Sequence, residues 1–195
     1  SAATRLSIPA GGTLDFTGDI SGSAAVTITG GGTVQFENAK TLTSDITLDA
    51  NSDLRLSTAN ILPDTIDIIV NAGSPLDING NDETVEAVYG GGDVALGAAQ
   101  LIVDHTTART LSGLISGTGN LVKKGSGSFT LDGTNTYSGE TFPVGGTLQI
   151  GATPDAGFTG TVRLGETSGS DAATFGISAG GVDVSNDIVV RSGSS

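Results

Sequence analysis

The chain has 195 residues, 31 of them glycine, lacks Cys, Met and Trp, and sets 21 acidic against 8 basic residues for a net charge of −13. That balance argues against a nucleic-acid partner, which needs clustered Lys and Arg, and against an anionic membrane surface. Without Cys there is no disulfide, thiol nucleophile or thiolate zinc site. No apolar run reaches the roughly 18 residues of a spanning helix, so no direct membrane insertion by this segment is expected. Met is missing even at position 1, which reads as a mature or excised segment.

Taken in chain order, the apolar residues form short alternating runs. Leu14 and Phe16 flank Asp15; twenty residues later Val34 and Phe36 flank Gln35, and twenty more bring Leu54 and Leu56. A second column keeps the same step: Val26 and Ile28, Ile46 and Leu48, then Ile66 and Ile68. Later members drift, with Leu76 and Ile78, then Val94 and Leu96. Apolar residues at i and i+2 predict strands with one buried face. Gly, Asn, Asp and Ser bound each run as turns do. The phrase Gly11-Gly12-Thr13-Leu14-Asp15-Phe16 returns as Gly31-Gly32-Thr33-Val34-Gln35-Phe36, and again as Gly145-Gly146-Thr147-Leu148-Gln149-Ile150. No helical pattern with caps interrupts them.

A fixed step of about 20 residues predicts a β-solenoid, one coil per period, with equivalent strands stacked in parallel about 4.8 Å apart. Leu14, Val34 and Leu54 form one inward ladder and Val26, Ile46 and Ile66 another. Thr27 over Thr47 stacks outside, and Asn51 over Asn71 makes an Asn ladder at a corner. About ten coils give a rod on the order of 45–50 Å long. An antiparallel β-sandwich also has short strands but predicts no constant step.

Chemistry-bearing residues are few. His105 is the single histidine and follows Asp104, but no Gly-x-Ser-x-Gly elbow accompanies it; a surface or turn histidine is expected. The carboxylates Asp64 and Asp67, and Asp77, Asp82, Glu83 and Glu86, are close enough in sequence to test as acid–base pairs on a sugar. Only Tyr89 and Tyr137 could serve as tyrosine platforms, and Tyr137 reads as structural. No catalytic or cofactor-binding residue is assigned, and an enzyme is not expected; a polysaccharide-acting β-helix enzyme is the third alternative. The cluster Asp77, Asn79, Asn81, Asp82 offers close-spaced oxygens and is the calcium candidate, with an Asx-rich turn as the competing reading. Lys123-Lys124 reads as a solvated pair. Gly117-Thr118-Gly119 lacks the following Gly-Lys-Ser/Thr of a phosphate loop.

The stretch Ser112-Gly113-Leu114-Ile115-Ser116-Gly117-Thr118-Gly119-Asn120-Leu121-Val122-Lys123-Lys124-Gly125 runs on through Phe129-Thr130-Leu131-Asp132-Gly133-Thr134-Asn135-Thr136-Tyr137-Ser138-Gly139 to Gly145-Gly146-Thr147-Leu148. With the lead-in Leu76-Asp77-Ile78-Asn79-Gly80-Asn81-Asp82-Glu83-Thr84-Val85, residues 76–150 resemble the autotransporter-associated β-strand repeat, also called the passenger-associated transport repeat. Lys124, Glu140 and Phe142-Pro143 depart from its pattern. The resemblance implies an all-β, right-handed parallel β-helix in a secreted bacterial surface protein, extracellular, with a scaffold, spacer or fibre role. An adhesin or carbohydrate-binding module is the alternative. The whole chain, 1–195, is expected to be one solenoid segment. Ser1–Ile8 and Asp187–Arg191 read as strands at both ends, so the partners expected are further coils of a longer parent chain or end-to-end copies of itself. Cell-surface or matrix glycans are a further candidate partner; no cofactor is required beyond the calcium candidate.

Overall fold

The computed structural model describes residues 4–49, 51–151, 158–166, 171–178 and 184–191. Residues 1–3 of the expected N-terminal strand lie outside that set, whereas the expected Asp187–Arg191 strand lies within it. The chain winds as a right-handed parallel β-helix, the hand favoured for crossovers between parallel strands. Every named strand pair is parallel; a lone antiparallel bridge joins Pro9 and Gly31.

Three sheets run along the rod. The first holds nine strands: Thr4–Ser7, Val26–Thr29, Ile46–Leu48, Asp67–Val70, Ala87–Gly90, Arg109–Leu111, Ser128–Leu131, Gly146–Ile150 and Ala173–Ile177. The second holds Thr13–Phe16, Thr33–Phe36, Asp53–Leu56, Leu76–Asp77, Val94–Ala95 and Ile115–Ser116. The third holds Glu83–Val85, Gln100–Asp104, Asn120–Lys124, Thr141–Pro143, Val162–Leu164 and Ile188–Val190. In the first two coils Ser21–Gly22 and Thr41–Leu42 occupy the third side as a separate pair. Sheet neighbours are always successive coils. Among the described residues nine rungs span roughly 38 Å at about 4.8 Å each.

Period-2 patterning drives the packing. Val26 and Ile28 are buried while Thr27 between them is half-buried, and the same holds for Ile46, Thr47 and Leu48. Inward residues of all three sheets merge into one core along the axis. The column Leu14, Val34, Leu54 stacks as the spacing predicts and continues through Leu76, Val94 and Ile115. Thr27 stacks on Thr47 outside.

Two register assignments change. Ile46 stacks on Ile68, not Ile66, because the turn through Pro63 makes that coil two residues longer. Ile66 is buried ahead of the strand, its N–H directed at Pro63 O at 3.4 Å. The Asn51–Asn71 ladder does not form, for the same reason. Asn71 lies opposite Asp49, their side chains 3.5 Å apart. Asn51 adopts a left-handed φ of 57° and packs against Gly73. The third copy of the Gly-Gly-Thr phrase also sits on the first sheet, whereas the earlier two lie on the second. The phrase therefore encodes a corner and a strand, not a particular face.

Leu14 and Leu54 occupy one column but differ in surroundings, at 37% and 0% exposure. Leu54→Ala should cost about 2–5 kcal/mol through a buried cavity, and Leu14→Ala well under that. Urea midpoints of the two variants provide the comparison; equal losses would contradict the stacked core.

Candidate functional site

The polar residues of the chain gather at the corners, where the backbone must turn and the ladder between coils is interrupted. Side chains complete it. Asp19 accepts from Thr41 N at 2.9 Å, Asp45 from Asp67 N at 3.0 Å, Asp82 from Gln100 N at 2.7 Å and Asp93 from Leu114 N at 2.9 Å. Asn120 accepts from Glu140 N at 2.8 Å in the same way. Each reaches one coil onward. Hydrogen bonding by Thr41 holds the Asp19 carboxyl below its ordinary range. These aspartates thus satisfy backbone donors that would otherwise lack partners.

Two lysines do the reverse job for carbonyls. Lys40 is buried, with its ammonium on Gly18 O at 2.8 Å and on Phe16 O and Asn38 O. It also stands 5.1 Å from the Phe36 ring centroid. Lys123 is fully buried and donates to Gly125 O at 3.0 Å, Gly145 O at 3.4 Å and Lys124 O. Burial pulls its ammonium down to about 8, against the opposing pull of Asp104. The reading of Lys123-Lys124 as a solvated pair holds for exposed Lys124 only: inward alternation along Asn120–Lys124 sends Lys123 into the core, where corner carbonyls converge on it.

His105 lies at a turn but not at the surface. It is buried, with Nδ1 2.7 Å from Thr107 O and its ring edge-on to Phe129 at 5.6 Å. Nε2 has no protein partner, and burial lowers the pKa of the ring. Gly125 and Gly127 crowd it from the next coil; a Cβ at Gly127 would come within 2.8 Å of Nδ1. Among the described residues neither Asp104 nor a serine hydrogen-bonds this ring, and no nucleophile relay is assembled there.

The glycines build columns of their own. A Cβ on Gly113 would overlap Gly92 O, and one on Gly133 would overlap Gly113 O. A second column runs Ala99, Gly119, Gly139, Gly160, each later member pressed on the carbonyl beneath. Between these columns Asn135 takes over the second side once its strands end. Its Oδ1 accepts from Ile115 N and its Nδ2 donates to Gly133 O, both at 2.9 Å. Tyr137 fills the core below it, donating to or accepting from Thr141 Oγ1 at 2.6 Å and stacked on Phe158 at 5.2 Å. That is the structural role its sequence position suggests.

The calcium candidate forms a turn. Asp77 Oδ1 accepts from Asn79 N at 2.7 Å, and Asn79 Oδ1 from Arg55 at 2.6 Å. Asn81 Nδ2 donates to Leu56 O at 3.2 Å, and Asp82 holds Gln100 N. Arg55 also pairs with Asp77 at 3.4 Å. Asn79 carries a positive φ of 53°. Among the described residues no group of three or more His, Cys, Asp or Glu side chains is arranged to hold a metal ion.

Of the other carboxylates, Asp64 is exposed, and buried Asp67 pairs with Arg109 at 2.5 Å. The Arg109 guanidinium lies 4.6 Å from the Tyr89 ring centroid. Asp67 Oδ1 and Arg109 Nε are left without protein partners. Glu83 turns inward. It accepts from Ile61 N at 2.9 Å and Leu62 N at 3.3 Å, where the third coil has no strand on its third side. Burial, with a smaller push from Asp64, raises it to about 7.

Gly139→Ala should lower stability by more than about 2 kcal/mol, because its new methyl group meets backbone that cannot rotate away. Gly176→Ala, with open space around the added carbon, should be near neutral. Denaturant midpoints measured side by side test the column. For Glu83 the folded pKa of about 7 exceeds the usual 4.5. Its stabilising contribution is therefore complete below about pH 4.5 and is lost as pH rises through 7. The melting temperature of wild type relative to Glu83→Gln should fall by roughly 5 °C between pH 5 and 8. A constant difference across that window would disprove the buried titration.

These corner devices coincide with a known repeat. Residues 121–150 match the passenger-associated-transport-repeat family. Over 116 residues the chain is 35% identical to the adhesin BmaC autotransporter of Brucella suis biovar 1 (strain 1330). The match covers 56% of this chain and 3% of that relative, so the chain corresponds to a small part of a much longer protein. No solved structure matches the chain. Lys123, Gly133, Asn135, Tyr137 and Gly139 all lie within the matched stretch. Residues 121–150 thus carry a passenger-associated transport repeat, within a chain similar to part of an autotransporter adhesin.

Proposed function

We propose that this chain is a rigid extracellular spacer, a stretch of passenger β-helix that holds other parts of a bacterial surface protein away from the cell. The observation that carries the reading is the unbroken first sheet, nine strands in succession with one core beneath them. A rod of this kind transmits position without needing a pocket. The passenger repeat and the relative's nature as an autotransporter support secretion to the cell surface. A non-enzymatic role is supported by the same two likenesses and by the carboxylates of Asp19, Asp45, Asp77, Asp82, Glu83 and Asp93, which accept from backbone N–H groups. The role needs no cofactor. The relative's name supports adhesion as a second reading.

Leu101 and Leu121 are register partners on adjacent coils. Deleting residues 101–120 therefore removes one coil and lets Leu121 take the place of Leu101. Joined to a translocating barrel and displayed on a Gram-negative cell, the shortened chain should reach the surface as well as the full one, by protease accessibility on intact cells. Its rod should be shorter by about 4.8 Å. Loss of surface delivery would show that this coil does more than add length.

A further inference from the structure

On the third sheet, residues 120, 122 and 124 point outward while Leu121 and Lys123 point in. The outward row places Ile102, Val122 and Phe142 on three consecutive rungs. The matching row of the second sheet is Asp15, Gln35, Arg55, Asp77 and Ala95, as a solvated face should be. The apolar row floors a groove of about 370 Å³, within the size range of small-ligand sites. Val122, though outward, is only 7% exposed. Gln100, Lys124, Glu166 and Arg191 form the rim, and the Arg191 guanidinium lies 4.9 Å from the Phe142 ring centroid.

The cations single out this place. Lys40 and Lys123 are buried on carbonyls, Arg55, Arg109 and Arg163 pair with carboxylates, and Arg5 lies on the first strand at the far end of the first sheet. Lys124 and Arg191 face the groove with no carboxylate in ion-pair distance among the described residues. In a chain of net charge −13 they are a local exception. Acids are near as well. Glu166 shares the rim, Asp104 and Asp171 adjoin it beside Lys124, and Glu140, paired with Arg163, feels Arg191. Lys124, Glu140 and Phe142 are also positions where the sequence departs from the repeat's pattern. The backbones of Lys124 and Glu140 join the corner hydrogen bonds, but the side chains of all three serve none of the corner contacts described above.

We propose that this groove binds a carboxylated sugar. Its carboxylate accepts from Lys124 and Arg191, a charge-assisted pair. The C–H face of its ring lies on Ile102, Val122 and Phe142, and its hydroxyls donate to Glu166 and Asp104. A sulfated polyanion would meet those acids unfavourably, and a neutral sugar would leave both cations unanswered. The site stands apart from the spacer role: a rod lacking it remains a rod.

The test is an amide-shift titration of the labelled chain with methyl glucuronide and with the methyl glycoside of N-acetylneuraminic acid, which separates a hexuronate from a sialic-type ligand. Methyl glucoside, glucose 6-sulfate and hexaglutamate are the comparators. At least one carboxylated sugar should shift the Gln100, Val122 and Phe142 amides with a Kd on the order of 1 mM. Lys124→Gln and Arg191→Gln, both at solvent-facing positions, should each weaken it at least about fivefold with an unchanged circular dichroism spectrum, a change of roughly 1 kcal/mol. The proposal is overturned by no shift up to about 20 mM. It is equally overturned by matching shifts with methyl glucoside or glucose 6-sulfate, by tighter binding of hexaglutamate, or by wild-type affinity in both variants.

Discussion

Everything in this molecule depends on one interaction, the parallel hydrogen-bonded ladder from each coil to the next. A parallel ladder leaves no side-by-side partner choice: the strand after one turn must land on the strand before it. Along flat sides alternating residues suffice, as Leu14, Val34 and Leu54 or Ile46 and Ile68 show. The difficulty is confined to the corners, where backbone donors and acceptors point away from their neighbours. The composition of the chain is the answer to that difficulty. Asp and Asn side chains supply acceptors to the next coil, Lys40 and Lys123 supply donors to converging carbonyls, and glycine permits the close stacking that shortens the gap.

The same economy explains why so few aromatics are needed. A coil is narrow, and Val, Ile and Leu fill it. Phe16 and Phe36 pack within the regular second sheet, and other large rings mark less regular places. Phe129 meets His105 at a tight turn, and Tyr137 with Phe158 fills the side from which the second sheet has withdrawn. Glu83 is the polar counterpart, bridging the one coil among the first four that lacks a strand on its third side.

The flat sides were legible in the sequence because two signals coincide there, alternation within a strand and recurrence between strands. The Leu14 column could be read through to its neighbours for that reason. Ile66 was misplaced and Asn51 was stacked on Asn71 because a turn through Pro63 adds two residues, and turn length leaves no trace in alternation. The buried polar residues were least legible. Nothing in the local pattern distinguishes Lys123 from Lys124 except strand parity. His105 looked exposed because its burial depends on glycines twenty residues away. The outer groove was invisible as well, since Ile102, Val122 and Phe142 are isolated apolar residues until the coils stack. The family-like residues, by contrast, stood out as a string. The structure gives the reason: Lys123, Gly133, Asn135, Tyr137 and Gly139 each support a different turn or side of the coil.

The orientation of the ladder has a mechanical consequence. Its hydrogen bonds lie along the axis of the rod, while each strand runs across it. Tension applied along the axis therefore does not shear many bonds at once; it opens them a coil at a time, as a zipper opens. A released coil of about 20 residues stretches to roughly 70 Å, in exchange for about 5 Å of rod. Such a rod would respond to a hard tug by lengthening in steps of more than ten times the rise it gives up, absorbing the load at low force, and would recover its length by rewinding on the coil that remains.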